Sequence, residues 1–200
     1  MCCRYWLTES PEIVEIVREM NRSPLTGRWQ ASPVAYGEVR PANVAPVIAT
    51  NRSGARGVFP MKWGFTGRTL LMNARTETAA IRPAFREAWE AHRCIIPASY
   101  YFEWEHFTDE KGKKRTGVKY RIRPKTGGIT RLCGLYRIEE GLPVFVVLTR
   151  EPGESIRFIH DRMPLMLPED AAEEWIRPGA CPEILAGEAL TEMEYEKAAE

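Results

Sequence analysis

Residues 118–123 constrain the fold more than any other segment. Val118, Tyr120 and Ile122 alternate there with Lys119, Arg121 and Arg123. A period of two puts the apolar set on one side of a β-strand and the basic set on the other. The partner strand comes just before it. Tyr100-Tyr101-Phe102-Glu103-Trp104 is aromatic and strand-like, and the charged stretch Asp109-Glu110-Lys111-Gly112-Lys113-Lys114-Arg115 reads as the turn of a hairpin. The pattern alone leaves the basic stripe either solvated or facing phosphate.

The rest of the chain reads as more short strands and a few helices. Apolar runs lie at 57–60 and 69–73, and strand-like segments at 94–105, broken by Pro97, at 130–137 and at 143–149. Ser10-Pro11 reads as an N-cap and first helical position, with Ile13, Ile16, Val17 and Met20 on one helical face. Residues 82–92 and 168–176 suit short helices, and residues 23–46, rich in Pro and Gly, read as irregular. The expected class is α+β, with a mostly antiparallel, barrel-like β core and a few peripheral helices. The 200 residues fit one domain.

A net charge of +1 excludes a strongly basic coat, so an anionic partner must be met by a local cluster of Arg and Lys. No apolar stretch reaches membrane-spanning length, and residues 1–20 lack a signal-peptide core, so a cytosolic location is expected. The five cysteines (Cys2, Cys3, Cys94, Cys133 and Cys181) are odd in number and include no CxxC pair. A disulfide framework is not expected, and the spacing gives no support to a zinc site built from Cys2, Cys3 and His160.

Cys2 has a reactivity of its own. Removal of Met1, which a small second residue permits, would leave a free α-amine and a thiol on adjacent carbons. Such a 1,2-aminothiol condenses with an aldehyde to an imine, and the thiol then closes a thiazolidine ring. The α-amine, with a reference pKa of about 7.7–8.0, is partly neutral at physiological pH, unlike a lysine near 10.4. A structural reading of Cys2, as a small apolar residue near the chain start, stands beside this one.

Other polar residues interrupt apolar segments. Glu103 sits among aromatics; pointing inward it would be desolvated and become a proton donor near neutral pH, and pointing outward it would be solvated. His160 follows Phe158-Ile159 and is either a proton shuttle or a structural histidine. Arg4, Arg75 and Arg162 could cradle phosphate, although each alone reads as a surface arginine. Asn73 both donates and accepts, which suits orienting a nucleophile or a sugar hydroxyl.

Taken in order, Met1-Cys2-x-Arg4, Asn43-x-Ala45-Pro46, Trp63-Gly64, Asn73-Ala74-Arg75-x-Glu77-Thr78, Phe102-Glu103-Trp104 and His160-Asp161-Arg162-Met163-Pro164 resemble the SOS-response-associated peptidase (SRAP) family over residues 1–176. The resemblance implies an SRAP-like fold and a sensor of abasic sites in single-stranded DNA. It would form a thiazolidine crosslink through Cys2, with lyase, crosslink-reversal and self-processing peptidase activity. It implies Cys2, Asn73, Glu103 and His160 as catalytic residues, and Arg4, Asn43, Pro46, Trp63, Arg75 and Arg162 along the DNA. It implies no cofactor, no metal and no membrane partner, a monomer, and a cytoplasmic protein that joins the nucleoid when bound to DNA.

Three departures from the family pattern stand out. Cys3 replaces a usual glycine beside the nucleophile. Residues 64–68 form a shorter loop without a further tryptophan, which weakens any wedge against duplex DNA. The acidic stretch 177–200 is expected as an extension without the strand-like ending of longer members. Two other classes predict different behaviour. An N-terminal-nucleophile amidohydrolase or glutamine amidotransferase would also use Cys2 but would not need Arg75 or Arg162. A non-enzymatic single-strand binder would use Trp63 and the basic stripe and form no covalent product.

Overall fold

The structure, a computed structural model, describes residues 3–198. The elements in chain order are β1 (Arg4–Leu7), α1 (Pro11–Asn21), β2 (Gly37–Val39), β3 (Val44–Thr50), β4 (Arg56–Trp63), β5 (Asn73–Arg75), α2 (Thr76–Ala79), α3 (Arg86–Ala91), β6 (Arg93–Ala98), β7 (Tyr100–Thr108), β8 (Lys114–Pro124), β9 (Thr130–Glu139), β10 (Leu142–Arg150), β11 (Met163–Pro164), α4 (Glu169–Trp175), α5 (Pro182–Ala186) and β12 (Met193–Lys197). The α+β class and the predominance of antiparallel pairing agree with the sequence reading.

Strands β10, β4, β3, β6 and β9 pair in that order, and β9 pairs back to β10 to close a barrel. The contact between β4 and β10 is parallel, as is that between β5 and β10; the other barrel pairings are antiparallel. Strands β3 and β6 and most of β10 are buried along their length, because one side faces the barrel interior and the other is covered. That is why they read as continuous apolar runs rather than as alternating ones. Gly134 lets three strands approach: a Cβ there would lie 2.7 Å from the Val146 carbonyl oxygen and 2.4 Å from Ile96.

The second sheet is antiparallel, in the order β12-β8-β7-β1-β2. Its inner face carries Tyr5, Leu7, Tyr101, Tyr120 and Ile122, which share one apolar cluster with the barrel. Chain passage between the layers is made at Ser99. Pro97 does not break the strand as the sequence reading expected; it sits inside β6 opposite Arg131. The bend lies two residues later, where the Ser99 N–H donates to the Trp6 carbonyl and the Ser99 hydroxyl accepts from the Thr8 N–H.

Helix α1 forms as its sequence dictates. The Ser10 hydroxyl accepts from the Ile13 N–H, Pro11 opens the first turn, and Ile13, Ile16, Val17 and Met20 are buried. The segment 23–46 is less irregular than expected, since it holds a 3-10 turn at Thr26–Arg28, β2 and the start of β3.

The C-terminal expectation is corrected. Residues 193–197 form β12, paired antiparallel to β8, and Glu196 and Glu194 stand directly opposite Arg121 and Arg123. These cross-strand ion pairs, with Lys125–Glu192 at 2.9 Å, explain why the last segment is acidic. They also answer the question left open for the basic stripe: its outer cations already face carboxylates of the same chain. No described helix is long and apolar enough to cross a membrane.

The close packing at Gly134 gives a first prediction. Gly134→Ala should lower the unfolding free energy by about 1–3 kcal/mol, the usual cost of overpacking, read as a lower urea midpoint. An unchanged midpoint would show that the three strands separate at no cost.

Candidate functional site

Strand register sets the position of the site. In the β1–β7 pairing Arg4 lies opposite Phe102, so Cys3 comes beside Glu103. Cys2 lies outside the described residues. Cys3, the first described residue, is partly buried; its thiol is pushed up by burial and by the neighbouring Glu103 charge.

Glu103 points inward. It is 3% exposed, and burial raises its pKa above the usual carboxylate range. The Trp104 N–H donates to its Oε1 at 3.3 Å. The inward alternative therefore holds, and the carboxyl has the environment of a proton donor.

His160 is also buried, at 8% exposure, and burial lowers its pKa to about 4 while the adjacent Asp161 works in the opposite direction. Its Nδ1 accepts from the Arg162 N–H at 3.0 Å and lies 2.8 Å from Asp161 Oδ1. One nitrogen cannot accept the first bond and donate the second. A pKa of about 4 makes the ring neutral at pH 7, so the bond that Nδ1 accepts from the Arg162 N–H stands and no charged pair forms with Asp161. Burial therefore moves the ring well away from the unperturbed histidine value near 6.5. The His160 ring packs on His106, with centroids 4.4 Å apart, and the His106 N–H donates to the Ile159 carbonyl at 2.9 Å.

A third group of residues gathers around β5 and β10. Asn73, Ala74 and Arg75 pair with Val147, Leu148 and Thr149. Arg162 joins this group to His160. Its guanidinium makes two bonds to Glu77, at 2.7 and 2.8 Å, and a third to the Thr149 carbonyl at 2.6 Å. Those bonds hold the Glu77 carboxyl below its usual pKa range. Thr149 is held further by its own hydroxyl, which donates to the Ala74 carbonyl, and by the Thr76 hydroxyl, which donates to the Thr149 carbonyl. Arg75 is exposed and has no ion pair among the described residues.

Arg4 is held by Glu38 at 2.9 Å and lies over the Trp104 ring at 5.3 Å. Glu38 also meets Arg40 and Lys119. Burial works to raise the Glu38 pKa, but the Arg40 hydrogen bond and the charges of Arg4, Arg40 and Lys119 outweigh it and hold the carboxyl low.

Of the residues expected along the DNA, Trp63 and Pro46 are buried and Asn43 is engaged in a turn. Trp63 is fully buried between Tyr5 and Phe145, with centroids at 5.4 and 5.9 Å, so no ring face is open to a base. Its indole N–H donates to the Met72 carbonyl at 2.8 Å, which fixes the chain just before Asn73. Pro46 is buried in β3 opposite Pro60. The Asn43 side chain accepts from the Arg40 N–H and closes the turn before β3. These motif residues build the frame under the site; the single-strand binder that used Trp63 as a platform loses that platform. Sequence reasoning missed Glu38, His106 and Thr149. Glu38 and Thr149 lie outside the motif runs it quoted, and His106 lies two residues beyond one; only the registers bring them in.

With this geometry in place, comparison with known proteins is informative. The family model described as SOS response associated peptidase (SRAP) matches residues 1–198, and this chain belongs to that family. It is 32% identical over 160 residues to the abasic site processing protein YoaM of Bacillus subtilis (strain 168), covering 71% of this chain and 68% of that protein. It is 32% identical over 145 residues to the abasic site processing protein YedK of Escherichia coli (strain K12), covering 68% of this chain and 64% of that protein. A crystal structure of a protein from Bacteroides thetaiotaomicron shares the fold at a TM-score of 0.73 and 22% identity, covering 99% of this chain and 92% of that one.

The environment of His160 gives a second prediction. Its C2 proton should titrate by NMR near pH 4 in the folded protein. The unfolded chain takes up that proton near pH 6.5. Stability from this group is therefore present above about 6.5 and lost as pH falls toward 4. A native titration near 6.5 would contradict the buried, neutral ring.

Proposed function

We propose that this protein captures abasic sites in single-stranded DNA as a thiazolidine crosslink through Cys2. The observation that carries the reading is Glu103: a buried carboxyl with a raised pKa, held by strand register beside Cys3, the residue next to Cys2 in the chain.

The chemistry follows from the groups present. An abasic deoxyribose is a hemiacetal in equilibrium with its open aldehyde. Neutral His160 accepts a proton as the ring opens. The Cys2 amine attacks the aldehyde carbon, protonated Glu103 supplies a proton as the hydroxyl leaves as water, and the thiol closes onto the imine. One water is released overall. Reversal uses Glu103 again, to protonate the ring and reopen it. The same pair can support β-elimination of the 3′ phosphate. Asn73 orients the sugar or the nucleophile. Exposed Arg75 and the Trp104-backed Arg4 meet phosphates. Arg162 serves chiefly through its tie to Glu77, Thr149 and His160, which sets the distance between the β5 segment and the proton acceptor. The self-processing peptidase activity would expose the Cys2 amine.

The test is incubation with a single strand carrying one abasic site, followed by a denaturing gel. The wild type should give a heat-stable adduct, and Cys2→Ala should give none while still binding the strand. Glu103→Gln should slow both formation and release of the adduct, and His160→Ala should slow formation, each by a factor on the order of 10²–10⁴. A Cys2→Ala protein that still forms the adduct would overturn the reading.

The two shifted groups also set a pH profile. Crosslinking should fall on the acid side as His160 protonates near pH 4, and on the alkaline side as Glu103, with its raised pKa, ionises. A rate independent of pH in both limbs would remove both groups from the mechanism.

A further inference from the structure

A cleft of about 380 Å³ opens beside His160, between the end of the β7–β8 hairpin and the 157–161 segment. His106 and His160 lie on its wall, and the His106 main chain is bonded to Ile159, so the cleft is fixed relative to the proton acceptor. Its lining cations are Lys114, Arg115 and Arg157, against the single lining carboxylate Asp161. Arg115 pairs with Asp109 at 2.8 Å and Arg157 with Glu154 at 2.8 Å. The Arg157–Glu154 pair is exposed and worth little, so a phosphate can recruit that guanidinium, while Arg115 stays tied to Asp109, which the Lys111 and Lys113 N–H groups also hold. Thr108 and Thr116 add hydroxyl donors to the lining. The cleft has the size for one phosphodiester with its sugar, with Lys114 in no ion pair among the described residues and Arg157 only weakly held.

We propose that this cleft is a phosphodiester subsite for the strand flanking the abasic nucleotide, with Lys114 and Arg157 as its cations. The inference rests on the reading of the site as an abasic-site trap and names a further part of it. A strand held there stays beside His160, because the His106 main chain is tied to Ile159 and its ring packs at a tilt against the His160 imidazole.

The experiment compares wild type with Lys114→Ala/Arg157→Ala, two exposed side chains whose removal leaves the core intact. Binding of an undamaged single strand is measured by fluorescence anisotropy as salt is varied. Each phosphate neutralised contributes a slope near −0.7, so the double variant should lose about 0.7 of slope and bind about tenfold more weakly. Methylphosphonate, a neutral backbone, is then placed at each flanking phosphate in turn. One position should weaken wild type about tenfold and leave the double variant unaffected. An unchanged slope, or methylphosphonate penalties equal in both proteins, would overturn the subsite. Adduct formation on an abasic strand is scored in parallel. Adduct without coupling would reject the cleft and keep the trap; coupling without adduct would reject the trap and keep a phosphodiester site.

Discussion

The pairing of β1 with β7 decides where everything else in the site can be. Side chains alternate across a strand, so the register Arg4↔Phe102, Tyr5↔Tyr101 sends Tyr5 and Leu7 into the core and Arg4 and Trp6 outward. A one-residue slip would bury Arg4 and expose Tyr5. The apolar pair Tyr5 and Leu7, fully buried against the barrel, forbids that slip. Cys3, just before β1, is thereby fixed next to Glu103 by packing energy that has nothing to do with the chemistry of the site.

The two proton-transfer candidates are prepared by one cause acting with opposite results. Burial disfavours the charged form of each, raising Glu103 and lowering His160. Burial thus favours the proton-carrying form of the acid and the proton-free form of the base, which is the direction that opening a hemiacetal and expelling water both require. The arginines, by contrast, are held by carboxylates. Glu38 holds Arg4, and Glu77 holds Arg162 in a two-pronged contact that also fixes Thr149 and, through the Arg162 N–H, His160. Arg75 alone among the three lies exposed without an ion pair among the described residues, which makes it the arginine most open to phosphate.

What was legible in the sequence was whatever local pattern encodes. The β7–β8 hairpin, the α1 cap and the buried runs of the barrel could be read from period, capping and turn residues. The family motifs named Asn73, Glu103 and His160, and the structure puts Asn73 on β5, next to the Arg162 tie that runs on to His160. Trp63 and Pro46 were expected along the DNA and are instead buried in the frame, because a motif tells that a residue matters without telling which way it points. Pro97 misled because a proline inside a strand usually marks a break, whereas here the bend falls at Ser99, where the chain changes layers. The C-terminal strand was missed for an electrostatic reason: Glu192, Glu194 and Glu196 look like a solvated acidic tail until the opposing Lys125, Arg123 and Arg121 are seen. Glu38 and His106 depend on long-range register and carry no local signal at all.

The measurement that bears most directly on this account is the mass and location of the trapped product. Wild-type protein reacted with an abasic single strand should weigh one water less than the sum of the chain lacking Met1 and the DNA fragment, and peptide mapping should place the bond on Cys2. An adduct on a lysine or on Cys3, or one that forms with Met1 still in place, would contradict it.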